Sequence, residues 1–207
     1  MDISSSLAIF VAPHLVPLLI EKIQKRVTRS DGNKQIRKFC NPCSSASDTM
    51  TISTRTILTI CTANRCRSPM LTSVLRHRIE VKALNGQIAV ISAGLLAREG
   101  TPVDPVVLDL LESRALPVHE RHAHELIFSD IRRADLILVA TEQHRLGLFH
   151  RSPENLYKVV LLSELIGVHQ DLDDPFNQPR SAYLRTLEEI EKTVDSGWSK
   201  LLALLAL

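Results

Sequence analysis

The chain has 207 residues and a formal net charge of +2, enough length for one domain with a sizeable core and a further segment. So small a charge excludes a protein built to coat a polyanion, and no nucleic-acid partner is expected. A core of this size needs no disulfide staples, and the four cysteines, Cys40, Cys43, Cys61 and Cys66, point to a reducing, cytoplasmic setting.

Residues 1–50 stand apart, with seven Lys or Arg against four acids, while the remainder is net −1. Leu7 to Ile20 is the most apolar run, but Pro13, His14 and Pro17 interrupt it. It falls short of the roughly 18–20 apolar residues that span a bilayer. Asp2 is the only charge ahead of it, so the basic start of a secretory leader is missing. A mostly basic stretch, Glu21–Lys38, and a linker-like Ser44-Ser45-Ala46-Ser47-Asp48 follow. Membrane-surface contact or partner docking through residues 6–38 is one reading. Both prolines weaken any helix there, and the plainer expectation for 1–50 is a poorly ordered or helical extension without a role, with Met50 a candidate alternative start. Cys40-Asn41-Pro42-Cys43 has no second ligand pair and no strand–helix context, so it reads as incidental.

From residue 51 the pattern alternates strand and helix. Apolar, β-branched runs at 56–60, 88–92, 136–140 and 158–162 predict strands buried on both faces. Helices are expected near 69–84, 104–114, 122–128 and 142–149. A last helix covers 181–206, open to interruption at Gly197, with Leu184, Leu187, Ile190, Val194, Trp198 and Leu201 on one face and Trp198 in the core. The fold class is α/β: a doubly wound four-stranded parallel sheet with helices on both faces over residues 51–207. Ligands of such folds bind beyond the carboxyl ends of the strands.

The first strand and helix carry the chemistry. Residues 56–70 read TILTICTANRCRSPM. Ser68 predicts the N-cap and Pro69 the first helical residue. A strand feeding a short loop into a helix start gathers unpaired N–H groups into an anion site. Cys61 stands at its mouth, and Arg67 forks two donors onto an oxyanion. A thiolate in a phosphate-sized cradle is a nucleophile aimed at phosphorus. Asn64 suits the loop because Asn tolerates the left-handed backbone that inward-facing N–H groups require.

Cys61-Thr62-Ala63-Asn64-Arg65-Cys66-Arg67-Ser68-Pro69 resembles the active-site loop of the low-molecular-weight protein tyrosine phosphatases, and the resemblance runs from about Thr56 to the C-terminus. Downstream, Asp171-Leu172-Asp173-Asp174-Pro175-Phe176 is similar to that family's Asp-Pro-aromatic loop. The resemblance implies hydrolysis of phosphotyrosine in proteins through a cysteinyl-phosphate, with no metal and no cofactor. It implies Cys61 as nucleophile and Arg67 on the equatorial oxygens. Thr62, Ala63, Asn64, Arg65, Cys66 and Ser68 bind the phosphate, and Phe176 flanks the substrate ring. Asp174 protonates the leaving phenolate, whose conjugate acid has a pKa of about 10, then serves as base for the attacking water. Asp173 is a back-up acid or only a neighbour. With Ser92-Ala93-Gly94-Leu95, the stretch looks most like bacterial members that act on tyrosine autokinases of capsule or exopolysaccharide export. Such a kinase is the partner implied.

Several positions leave alternatives open. Ala63 stands where the family usually has Gly, a small change. Arg65 replaces a usually apolar residue and either biases the mouth towards acidic peptides or points into solvent. Cys66 either protects Cys61 through a reversible disulfide or fills space. His119, His122 and His124 read as capping and surface residues, since no His-Glu-x-x-His spacing is present. An arginine phosphatase of the same fold is the runner-up, weakened by Arg65 where its signature has a small hydroxyl residue. An arsenate reductase needs cysteines after Cys66, and there are none. A non-catalytic phosphopeptide-binding module has no need of Cys61.

Overall fold

The computed structural model describes residues 54–207, so the expectations for residues 1–50 and the Cys40–Cys43 pair lie outside the described residues. Four parallel strands, β1 (Arg55–Cys61), β2 (Ile88–Gly94), β3 (Leu136–Val139) and β4 (Val159–Leu161), lie in the order β2-β1-β3-β4. The helices are α1 (Arg67–Val81), α2 (Pro105–Ser113), α3 (Phe128–Arg133), α4 (Glu142–Arg151) and α5 (Arg180–Leu204). Short 3₁₀ turns, Pro153–Lys158 and Leu162–Ile166, bracket β4.

Side chains alternate across a strand, so β1 feeds two cores. Ile57 packs with Met70, Leu110 and Leu187 on the α1, α2 and α5 side. Leu58 and Ile60 pack with Ile131 and Leu148 on the α3 and α4 side. The sheet is therefore covered on both faces, as its apolar strands require. From β1 the chain crosses to β2 on one side, then to β3 on the other. That reversal opens a crevice at the carboxyl end of β1, where Cys61 lies. Trp198 is buried in the first core, as expected.

Three local expectations are corrected. Residues 122–128 do not form a helix: His122 bridges Pro102, Glu125 bridges Gly94, and α3 starts only at Phe128. The backbone groups there are taken by neighbouring chain, with Gly94 N–H donating to His124 O at 3.0 Å and Leu126 N–H to Gly94 O at 3.1 Å. Helix α1 begins at Arg67 behind Cys66, so Ser68 lies inside the first turn and makes no cap. Helix α5 runs through Gly197 without a break. Glycine is needed there for clearance, since a Cβ would come within 2.5 Å of Leu165 Cβ.

Candidate active site

Strand β1 delivers Cys61 to the carboxyl end of the sheet, and residues 62–66 turn the chain into α1. Asn64 takes the left-handed conformation at φ 52°, as its residue type suggested. Behind the turn, Gly94 ends β2 so close that a Cβ would lie 2.7 Å from Asn64 N and 2.8 Å from Thr62 O. The Asn64 side chain, 1% exposed, ties the turn together. Its Nδ2 donates to Ser68 Oγ at 2.8 Å and Ser92 Oγ at 3.0 Å, and its Oδ1 accepts from His124 N–H at 2.8 Å. Ser92 donates onward to Glu120 at 2.6 Å, and Glu120 is paired with Arg76 at 2.7 Å. The Ser68 hydroxyl, whose oxygen accepts from Asn64, also lies within hydrogen-bond distance of Cys61 Sγ at 3.0 Å. This contact is where Ser68 spends the hydroxyl expected to cap the helix.

The backbone N–H groups of residues 62–66 donate to no acceptor among the described residues. Arg67 is 5% exposed. Its Nη2 reaches Asp174 Oδ2 at 2.5 Å and Thr62 Oγ1 at 3.1 Å, and its Nη1 points to Leu172 O at 3.4 Å. Its Nε is buried without a hydrogen-bond partner among the described residues. A cationic donor left unpaired in the interior is costly unless an anion meets it. Beside these groups lies a pocket of about 180 Å³ lined by Cys61, Thr62, Ala63, Arg65, Cys66, Arg67, Asp174 and Phe176.

Asn64 and Ser68 lie behind that lining, and their side chains brace the loop. Arg65 does not point away into solvent. Its Nε donates to Pro102 O at 3.0 Å and its guanidinium sits 5.0 Å from the centroid of the Phe176 ring, a cation–π contact at the rim. Asp173 does not reach Arg67 and lines a neighbouring cleft with Arg185 and Glu189. Burial, with help from the negative charges of Asp104 and Asp174, pushes the Cys66 thiol up to about 12. His122 is at the surface, and His124 lies between Glu99 at 3.1 Å and Asp130 at 3.0 Å.

Two residues at the site were not singled out by sequence. Glu120 closes the hydrogen-bond chain behind Cys61. His144, on α4, is 4% exposed and its Nε2 lies 3.0 Å from Thr62 Oγ1. The signal for His144 was its spacing: Thr141-Glu142-Gln143-His144 is a capping box, with His144 accepting from Thr141 N–H at 3.1 Å.

Residues 56–203 match the family "Low molecular weight phosphotyrosine protein phosphatase". A relative from Ralstonia solanacearum, a probable low molecular weight protein-tyrosine-phosphatase EpsP, is 35% identical over 150 residues, 72% of this chain and 98% of that one. The crystal structure of a low molecular weight protein tyrosine phosphatase from T. tengcongensis superposes with a TM-score of 0.66 at 30% identity, covering 71% of this chain and 99% of its own. The YwlE arginine phosphatase from Geobacillus stearothermophilus does so with a TM-score of 0.65 at 31% identity, covering 72% and 94%. With that match across β1 to α5, and the cysteine loop and aspartate loop meeting in one pocket, the chain belongs to the low molecular weight phosphotyrosine protein phosphatase family.

Proposed function

We propose that residues 51–207 are the catalytic domain of a protein tyrosine phosphatase that works through Cys61, Arg67 and Asp174. Cys61 Sγ attacks phosphorus, the P–O bond to the tyrosine oxygen breaks, and Asp174 supplies that oxygen with a proton. Arg67 and the loop N–H groups hold the equatorial oxygens. A water then attacks the cysteinyl-phosphate while Asp174 takes back a proton, releasing phosphate and Cys61. One observation carries this reading. A cysteine, a buried arginine with an unsatisfied donor and a carboxylate on that arginine line one phosphate-sized pocket.

Tyrosine is favoured over arginine as the phosphorylated side chain by the rim. The Arg65 cation over Phe176 lies where a phosphoarginine would bring its own guanidinium, and like charges repel. A phenyl ring meets Phe176 without that cost. The substrate is a tyrosine-phosphorylated protein, and the likeness of residues 92–95 and 174–176 to bacterial exopolysaccharide-associated members points to a tyrosine autokinase as that protein. Cys61 and Cys66 are both free thiols, which suits action in the cytoplasm. No helix among the described residues is long and apolar enough to cross a membrane.

The test is single-turnover trapping of phosphate on Cys61 with phosphotyrosine, phosphoserine and phosphoarginine peptides in parallel. The phosphotyrosine peptide is expected to label Cys61 at least tenfold faster than the others. Faster labelling by phosphoarginine would transfer the assignment to an arginine phosphatase.

A further inference from the structure

The imidazole of His144 is within contact of the phosphate-binding groups without lining their pocket. Its two nitrogens have different partners. Nδ1 faces Thr141, whose backbone N–H lies 3.1 Å away and whose Oγ1 lies 2.9 Å away. A backbone N–H only donates, so Nδ1 is an acceptor and carries no proton. In a neutral imidazole the proton then sits on Nε2, which faces Thr62 Oγ1 at 3.0 Å. Thr62 Oγ1 thus accepts from His144, and it accepts again from Arg67 Nη2 at 3.1 Å. A hydroxyl oxygen has two lone pairs and both are used. Its own proton must leave in the remaining direction, and Thr62 lines the pocket.

We propose that His144 is a positioning residue for the phosphatase reaction: it locks the Thr62 hydroxyl as a donor into the phosphate pocket and braces Arg67 through it. This rests on the phosphatase reading of the pocket above. Without the His144 bond, the Thr62 hydroxyl turns freely and can offer its lone pair to the incoming dianion as readily as its proton. The surroundings keep the imidazole neutral. Burial, then the positive charge of Arg67, lower it to about 4, against an opposing pull from Asp171 and Asp174. These are the groups facing it from α1 and from the segment ahead of α5. A neutral His144 keeps one orientation of the Thr62 hydroxyl throughout the physiological range.

Two substitutions separate the two nitrogens. His144→Asn keeps an acceptor near the Nδ1 position for Thr141 but is too short to reach Thr62. His144→Gln places an amide N–H near the Nε2 position and reaches it. With a small aryl phosphate as substrate, His144→Asn is expected to lower kcat/KM about tenfold and to weaken inhibition by inorganic phosphate, while His144→Gln stays within about threefold of the wild type. Thr62→Val removes the hydroxyl and should lose at least as much as His144→Asn. Adding His144→Asn to Thr62→Val should then cost less than a further twofold, because the residue acts through a group already gone. Effects that multiply in the double variant would overturn the proposal, as would a fully active His144→Asn.

A second measurement needs no variant. Two-bond nitrogen–proton NMR correlations of histidine-labelled wild type should show His144 neutral at pH 6 with the proton on Nε2. A proton on Nδ1, or an imidazolium at that pH, also overturns it. A wild type inactive on every phosphoester would instead indict the phosphatase reading and leave the tautomer result standing on its own.

Discussion

Replacing Asp174 by Asn should push chemistry and binding in opposite directions. The carboxylate rests on Arg67 at 2.5 Å with its side chain 46% exposed. An ion pair so open to water is worth about 0.2–1 kcal/mol after screening. Freeing Arg67 from it, and removing a negative charge from the rim, should therefore tighten inorganic phosphate by about two- to fivefold. The proton donor is lost at the same time, at a cost of typically about 10²–10⁴-fold in the step that expels a poor leaving group. Single-turnover labelling of Cys61 by a phosphotyrosine peptide should slow by at least about 10²-fold. Labelling by a nitrophenyl phosphate, whose leaving group needs less help, should suffer less. The comparison belongs in single turnover because Asp174 also serves the later hydrolysis of a common intermediate. Asp173→Asn, which removes a carboxylate that does not touch Arg67, should change either rate only several-fold. If Asp173→Asn were the crippling change, or if Asp174→Asn slowed both substrates equally, the proton donor would be misassigned.

Gly94→Ala forces a Cβ against the backbone of Asn64 and Thr62. It should cost about 1–3 kcal/mol of stability by overpacking and lower turnover, and a destabilised enzyme of unchanged turnover would contradict the placement of Gly94 behind the loop. His144 is lowered from 6.5 to about 4, so the unfolded chain takes up a proton there before the folded one does. Stability is full above about pH 6.5 and lost as pH falls towards 4, by up to about 3 kcal/mol from this group; urea titrations should find a smaller acid loss in His144→Asn. Mild peroxide should yield a Cys61–Cys66 disulfide that thiols reverse. With the Cys66 thiol held at about 12, closure onto a Cys61 sulfenic acid should speed up about tenfold per pH unit between about 7 and 9. Peptide mapping that found only irreversible Cys61 acids would remove the protective role of Cys66.

The fold class and the family were legible in the sequence because their signal is local. The strands are continuous β-branched runs, and the Cys61 loop is one uninterrupted stretch. Asp174 was singled out only by its likeness to a known loop, since nothing within ten residues of it announces that it will meet Arg67. The misreadings of Ser68 and of residues 122–128 share one cause, a side chain or backbone group claimed by something distant in sequence. Ser68 has the composition of a cap but gives its hydroxyl to Cys61. Residues 122–126 have no glycine or proline to stop a helix, yet Gly94 and Thr101 take their backbone groups. His144 was visible as part of a helix start and invisible as a neighbour of Thr62, 82 residues away. Glu120 is likewise a surface-type residue until Ser92, 28 positions earlier, reaches it.

The distance between the two halves of the pocket also has a meaning in time. Arg67 and Asp174 are 107 residues apart, and the segment carrying Asp174 is tied in by Leu172, whose N–H bonds Ala140 O at 2.9 Å beyond β3. A ribosome adding roughly 5–20 residues per second releases the cysteine loop some 5–20 seconds before the acid. The β1–α1 unit is short-range and can form early, whereas the aspartate loop waits for β3, β4 and α5. On the roles proposed above, a nascent chain would thus have its phosphate-binding loop before its proton donor, and could not turn over until the segment carrying Asp174 has docked beyond β3.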